Sequence, residues 1–165
     1  MVGPGRDADD ESIRNAIQLG ILIAKEGWVL LTGGRNCGVM EAVNQGAKQA
    51  NGLTVGILPN ADHSMISTSV DIPILTGMGQ ARNNINVLSS HLLIACGLGA
   101  GTTSEIALAI KANKSVILLG IDDQSAAFFQ KLGGSRVLVA DSPKVATEIA
   151  RKLVQPECDI TDGEA

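Results

Sequence analysis

The sequence predicts an α/β domain: a doubly wound parallel sheet with helices on both faces. Three observations lead there. Short, wholly apolar runs such as "WVLLT", "HLLIAC" and "SVILLG" alternate with stretches of helical periodicity; strands apolar on both sides belong to parallel sheets covered twice over. Glycines gather where those runs end, in "TGGRNCG" and "GLGAGTTSE". The length, 165 residues, suits one domain with a sizeable core. The expected limits are 1–155 for the domain and 156–165 for a polar C-terminal tail.

The elements follow in order. "MVG" reads as the stub of a first strand. Ile13, Ala16, Ile17, Ile21 and Ala24 then fall on one helical face. "WVLLT" is a buried strand. Val39, Ala42, Val43, Gly46, Ala47 and Ala50 repeat the helical spacing, and "LTVGIL" is the next strand. "STSVDIPIL" is extended, with Pro73 placing it at an edge. Ala81, Ile85 and Leu88 mark a helix whose opposite stripe is Arg82, Asn86 and Ser89. "HLLIAC" is a strand opened by His91. Ser104 to Ala112 is a helix apolar nearly all round, which predicts burial. "SVILLG" and "RVLVA" are strands on either side of the helix "QSAAFFQKL". Ser142 caps a last helix with Pro143 in its first turn and Val145, Ile149 and Leu153 inside.

Composition removes several function classes. Aromatics are only 2% of the chain and the net charge is -4, with no dense basic block; neither a base-stacking surface nor a phosphate-backbone binder is expected, hence no nucleic acid. No apolar run approaches the roughly 20 residues that span a bilayer. The early acidic turn of "MVGPGRDADD" does not resemble a secretory leader, so the expected location is cytoplasmic. Cys37, Cys96 and Cys158 stand far apart, and His63 and His91 are isolated. No metal site or disulfide framework is expected from such spacing.

In a parallel sheet the turns that leave the strands emerge on one rim, where ligands bind. Here those turns are "GPGRD", "TGGRNCG", "LPNAD", "LTGMGQARNN" and "GLGAGTTSE". Four of the five contain glycine, and Arg6, Arg35 and Arg82 lie in or beside them. Glycine lets amides approach a ligand closely, and helix starts attract anions. Arginine concentrated on that rim of an acidic chain points to a phosphate-bearing anion. "GGRNCGVM" lacks the Lys-Ser/Thr of a P-loop, and "GLGAGT" has Thr102 where the dinucleotide fingerprint has glycine. Structural readings stand beside the functional ones. Thr102 with Glu105 matches a capping box, Gly33 and Gly34 suit tight packing, and Arg82 suits a solvated helix face.

The succession "TGGRNCGVMEAVNQGAKQANGLTVGILP", "ARNNINVLSS" and "GLGAGTTSEIALAIK" resembles the Rossmann-like proteins once labelled lysine decarboxylases, which include the cytokinin-activating phosphoribohydrolases. Their hallmark is Pro-Gly-Gly-x-Gly-Thr-x-x-Glu after an Arg-Lys pair. Gly99, Gly101, Thr102, Glu105 and Arg82 match it; Gly97, Leu98 and Asn83 depart from it. If the chain were a hydrolase, the resemblance implies Arg82 and Glu105 as its catalytic residues. The departures, with "VGPG" and "VDIPILTGMGQARNNIN", match better a non-catalytic branch, the molybdenum cofactor carrier proteins.

That resemblance implies a carrier that binds, protects and transfers the molybdenum cofactor (molybdopterin), with no catalytic residues. The cofactor has a terminal phosphate, a pterin and an oxidised metal on a dithiolene. The implied binding residues are Gly33, Gly34, Arg35, Asn36, Arg82, Asn86, Gly97, Gly99, Gly101, Thr102 and Glu105. It further implies a homo-oligomer, dimer or tetramer, and a molybdoenzyme acceptor such as nitrate reductase. A nucleoside-monophosphate phosphoribohydrolase and a nucleotide sensor are the alternatives. A thiolate contact from Cys37 or Cys96 to the metal ranks below buried thiols.

Overall fold

The structure, a computed structural model, describes residues 1–154. The expected tail, 156–165, lies outside the described residues. Six helices flank two parallel three-stranded sheets. One sheet holds β1 (Leu30–Thr32), β2 (Thr54–Leu58) and β3 (Ile72–Leu75), and the other β4 (Leu93–Cys96), β5 (Val116–Leu119) and β6 (Val137–Ala140). The stub joins them. Val2 N donates to Ile94 O at 2.9 Å, Cys96 N donates to Val2 O at 3.0 Å, and Met1 N donates to Leu31 O at 2.8 Å. Spatially the order is β3, β2, β1, residues 1–3, β4, β5, β6, all parallel. The strand order reverses between the stub and β4, which is the topological switch point where such sheets take ligands.

Each face has its own core. On one side α1 (Asp10–Lys25), α2 (Gly38–Gln49) and α6 (Pro143–Val154) bury Leu19, Val43 and Ala146 against Leu30, Ile94, Ile117 and Leu119. On the other α3 (Arg82–Ser89), α4 (Ala100–Lys111) and α5 (Asp123–Gly133) bury Val87, Ile106 and Phe129 against Val2, Leu93, Ala95 and Leu118. Consecutive strand residues thus serve opposite cores, as the pleat requires.

Several boundaries and faces differ from expectation. β1 is Leu30–Thr32, and Val29 is exposed. In α1 the buried centre is Ala16, Leu19, Gly20 and Ile23 rather than the stripe ending at Ala24. That shift follows from Gly20, whose missing side chain lets α2 touch the α1 backbone. A Cβ on Gly20 would lie 2.1 Å from Val43 O, and one on Gly46 would lie 2.1 Å from Ile17 O. In α6 the inner face is Pro143, Ala146, Thr147 and Ala150, while Leu153 is exposed. α4 begins four residues before Ser104, and its Thr103, Ser104 and Ala107 face outward. Pro73 sits on β3, an edge strand, as its missing N–H demands; the residues before it, 67–71, are turn rather than strand.

The reciprocal glycine contact gives a direct test. Gly20→Ala or Gly46→Ala should each lower stability by about 1–3 kcal/mol through overpacking. The check is the urea midpoint at unchanged slope; a midpoint equal to wild type in both variants would contradict the close contact.

Candidate functional site at the carboxyl rim

The glycine-bearing turns converge. Pro4 and Gly5 lie between the 33–37 and 97–99 turns. Val39 N donates to Pro4 O at 3.0 Å, a Cβ on Gly38 would lie 1.9 Å from Gly5 O, and one on Gly97 would lie 3.2 Å from Pro4 Cδ. Gly97 and Gly38 have φ +72° and +55°, where a side chain is strained as well as crowded. At the end of β1 the buried Thr32 Oγ1 accepts from Gly34 N at 3.0 Å and fixes the turn. The 59–71 connection is tied to it: Asn36 N donates to Met65 O and Ser67 N to Gly34 O, both at 2.9 Å. Gly79 N donates to Pro59 O at 2.9 Å, which brings in the fourth turn.

The helix starts along this rim differ in how they are capped. Asp9, Asp122 and Ser142 cap α1, α5 and α6 with side-chain oxygens. α2 begins after Cys37 and α4 after Gly99, and neither receives a side-chain cap bond. Their first-turn amides have no intrahelical partner and carry the positive end of the helix dipole.

Beneath the turns lies a buried polar floor. Arg82 and Asn86 come from α3, Thr102 and Glu105 from α4, and all four are between 2% and 7% exposed. Asn86 Nδ2 donates to Glu105 Oε1 at 3.0 Å, and Arg82 Nη1 stands 3.6 Å from the same oxygen. Gly33 roofs the guanidinium: a Cβ there would lie 2.6 Å from Arg82 Nη2 and 2.8 Å from Met40 Sδ. Burial pushes the Glu105 carboxyl above its ordinary range, against the opposing pull of Asn86 and Arg82. Burial also lowers Arg82, helped by the like charge of Arg35 and opposed by Glu105. Both partners move toward neutrality because desolvation outweighs a 3.6 Å contact. Arg82 Nε, Asn86 Oδ1 and Thr102 Oγ1 are buried without a hydrogen-bond partner.

The expected residues therefore separate into two tiers. Arg35, Asn36, Gly99 and Gly101 reach the surface, Asn36 and Gly101 fully so. Gly33, Gly34, Arg82, Asn86, Gly97, Thr102 and Glu105 are buried. Two readings are corrected. The capping box does not form, because α4 starts at Ala100 and Glu105 is engaged by Asn86 and Arg82 instead. The α3 stripe is largely inverted: Arg82 and Asn86 point inward while Ala81 and Leu88 face solvent, with Ser89 exposed as expected and Ile85 half-buried. Cys96 is buried, its thiol pushed up to about 12, and it donates to Ser12 O. Cys37 is partly exposed, and His63 and His91 are exposed. Met40 and Met65 fit no sequence motif; only the place of Met40 beside Gly33 and the contact of Met65 with Arg35 mark them.

Among the described residues no group of three His, Cys, Asp or Glu is placed to hold a metal ion, and no helix is long and apolar enough to cross a membrane. Two hollows lie off this cradle. One of about 410 Å³ is lined by Trp28, Leu92 and Val154, and one of about 430 Å³ by Glu11, Asp123 and Asp141.

Comparison with known proteins agrees with the geometry. Over 93% of this chain and 94% of the other, the fold superimposes on the molybdenum cofactor binding protein of the phototrophic bacterium Rippkaea orientalis, at TM-score 0.90 and 55% identity. The molybdenum cofactor carrier protein of Chlamydomonas reinhardtii matches over 92% and 94% of the two chains, at TM-score 0.88 and 46% identity. The cytokinin riboside 5'-monophosphate phosphoribohydrolase of Mycobacterium tuberculosis is 32% identical over 103 residues, 58% of this chain and 52% of that protein. The SLOG cluster4 profile matches residues 1–147. A doubly wound sheet, glycine turns meeting at its switch point and this match along nearly the whole chain make it a member of the SLOG cluster4 family.

Proposed function

We propose that this chain binds the molybdenum cofactor, shields it and hands it on, acting as a carrier rather than an enzyme. One observation carries the reading: a buried Arg82–Glu105 pair, with the charge of Arg35 bearing on Arg82, lies beneath uncapped helix starts in a chain that matches cofactor-binding proteins over nine-tenths of its length. That arrangement has an excess of positive charge and free donors, which suits an anion. The first-turn amides of α4 at Gly101 and Thr102, opened by Gly99, would take the phosphate. Arg35 and Asn36, on a turn made possible by Gly33 and Gly34, would hold the pterin or its anionic end. Arg82, Asn86 and Glu105 would set the charge from below, and Gly97 would shape the turn. The orphaned Thr102 Oγ1 and Arg82 Nε fit a ligand with several acceptors. The proposed domain is residues 1–155, and the proposed acceptor is a molybdoenzyme such as a nitrate reductase. Self-association is proposed through exposed Ile72, Ile74, Met78 and Leu88.

The hydrolase reading has its own support in the phosphoribohydrolase match and in the Arg82–Glu105 pair. It requires both groups to meet a ribose. Here they meet each other and Asn86 under Gly33.

The decisive experiment is anaerobic uptake. Wild type should retain the cofactor in a fixed ratio to protein and restore a cofactor-free nitrate reductase, while releasing no adenine from AMP. Arg35→Ala should weaken retention by about 10-fold or more, the value of a hydrogen bond to a charged group. Retention no better than that of an unrelated protein, or steady adenine release, would overturn the carrier reading.

Gly33→Ala separates binding from folding. The added methyl meets the ends of two flexible side chains, Arg82 and Met40. Urea stability should fall by less than about 1 kcal/mol, yet retention should drop as Arg82 is displaced; unchanged retention would remove Arg82 from the cradle.

Retention should also depend on pH through Glu105. Its raised value keeps it protonated to a higher pH than a free glutamate. As pH rises through that range a negative charge appears under the anion and affinity declines. Glu105→Gln removes this charge, so the ratio of variant to wild-type affinity should climb as pH rises above the ordinary glutamate range. Taking the ratio cancels the ligand's own ionisation. A flat ratio would show that Glu105 does not titrate beneath the ligand.

A further inference from the structure

The 59–71 connection straps two rim turns together, and its middle carries a feature that folding alone does not require. Pro59 O and Asn60 O accept from Gly79 N and Gly77 N at 2.9 and 3.2 Å, holding the 76–79 turn. Six residues on, Met65 O accepts from Asn36 N, and Ile66 pairs antiparallel with Arg35. Between these anchors Met65 has φ +60°. A side chain at that position is strained where glycine would not be, and such strain gathers at ligand sites. The Met65 side chain meets Arg35: Nη2 points at Sδ at 4.0 Å. Arg35 forms no ion pair among the described residues, although its charge is felt by Arg82.

We propose that Met65 is a positioning residue for Arg35: its thioether steers the guanidinium over the cradle without neutralising it. A thioether is a weak, uncharged acceptor. It gives the guanidinium a preferred direction and leaves the full positive charge for a bound anion. A carboxylate in the same place would fix Arg35 more firmly and cancel that charge. The left-handed backbone at position 65 is the cost of keeping a long side chain there. This inference rests on the carrier reading, in which Arg35 contacts the anionic cargo.

The test is anaerobic titration of the isolated molybdenum cofactor into wild type, Met65→Gln, Met65→Gly, Met65→Glu and Arg35→Ala, with thermal melts of each protein. Met65→Gln places a neutral acceptor at similar length and should bind within about 2-fold of wild type. Met65→Gly should bind about 2- to 10-fold more weakly, the range of a sulfur contact, while its melting temperature is unchanged or higher because strain is relieved. Met65→Glu should be weaker than Met65→Gly, since it pairs with Arg35. A merely structural role for Met65 would move stability and binding together and would not separate Gln from Glu. If Arg35→Ala weakens binding while the three Met65 variants match wild type, the positioning role is overturned and the cradle stands. If Arg35→Ala binds like wild type, or wild type retains no cofactor, the assignment of Arg35 or the carrier reading fails, and this inference with it.

Discussion

Three hydrogen bonds made by Met1 and Val2 join the molecule's two sheets. Val2 pairs with β4 on one side through Ile94 and Cys96, and Met1 N reaches Leu31 on the other. Without them β1–β3 and β4–β6 are separate sheets. The fit at this seam is tight on both sides, since a Cβ on Gly3 would lie 2.4 Å from Val39 Cγ1 and 2.6 Å from Cys96 O. The same stretch then delivers Pro4 and Gly5 between the two glycine turns. The strand that closes the sheet thus also spaces the cradle, and the switch point is a consequence of where the stub lies.

Burial gives the cradle its electrical character. Lys48–Asp71 and Arg151–Glu26 are partly exposed pairs, and pairs of that kind contribute little to stability. Arg82–Glu105 is different in kind. Its groups lie out of water at 3.6 Å, with three neighbouring polar atoms unsatisfied. A well-packed apolar cluster would fill that space at least as stably. Polar groups retained there at such a cost make sense if a bound ligand supplies the missing partners, and on the proposed carrier reading the nearby positive charge of Arg35 favours an anion.

Much of this was legible in the chain. Apolar runs alternating with helical periodicity gave the parallel sheet, and Pro73 its edge. Glycine clusters marked the rim because close backbone approach leaves a trace in residue type, as at Gly33, Gly38 and Gly97. What misled was periodicity read as a single rule. α3 obeys the spacing yet inverts it, with Arg82 and Asn86 inside and Leu88 outside, because a helix over a polar floor satisfies charge first. Thr102 and Glu105 have capping-box spacing, but Gly99 starts the helix early and leaves Glu105 free to meet α3. Contacts between distant segments, such as Met65 with Arg35, left no trace in local sequence at all.

The same floor bears on why a phosphoribohydrolase-like scaffold would carry rather than cleave. Cleavage needs a carboxylate that meets the sugar and a preorganised field for the charge that develops. Glu105 has one oxygen held by Asn86, pairs with Arg82, which Gly33 roofs, and is pushed by burial toward its neutral form. Asn83, buried beside Arg82, supplies no second cation. A carrier needs the opposite balance: enough positive charge to hold an anion, and no group poised to react with it. Withdrawing Glu105 while leaving Arg35 near the surface meets both needs with side chains already present. On this view one arrangement, the inward-facing Arg82 and Asn86 of α3, both limits reactive access to Glu105 and completes the floor of the cradle.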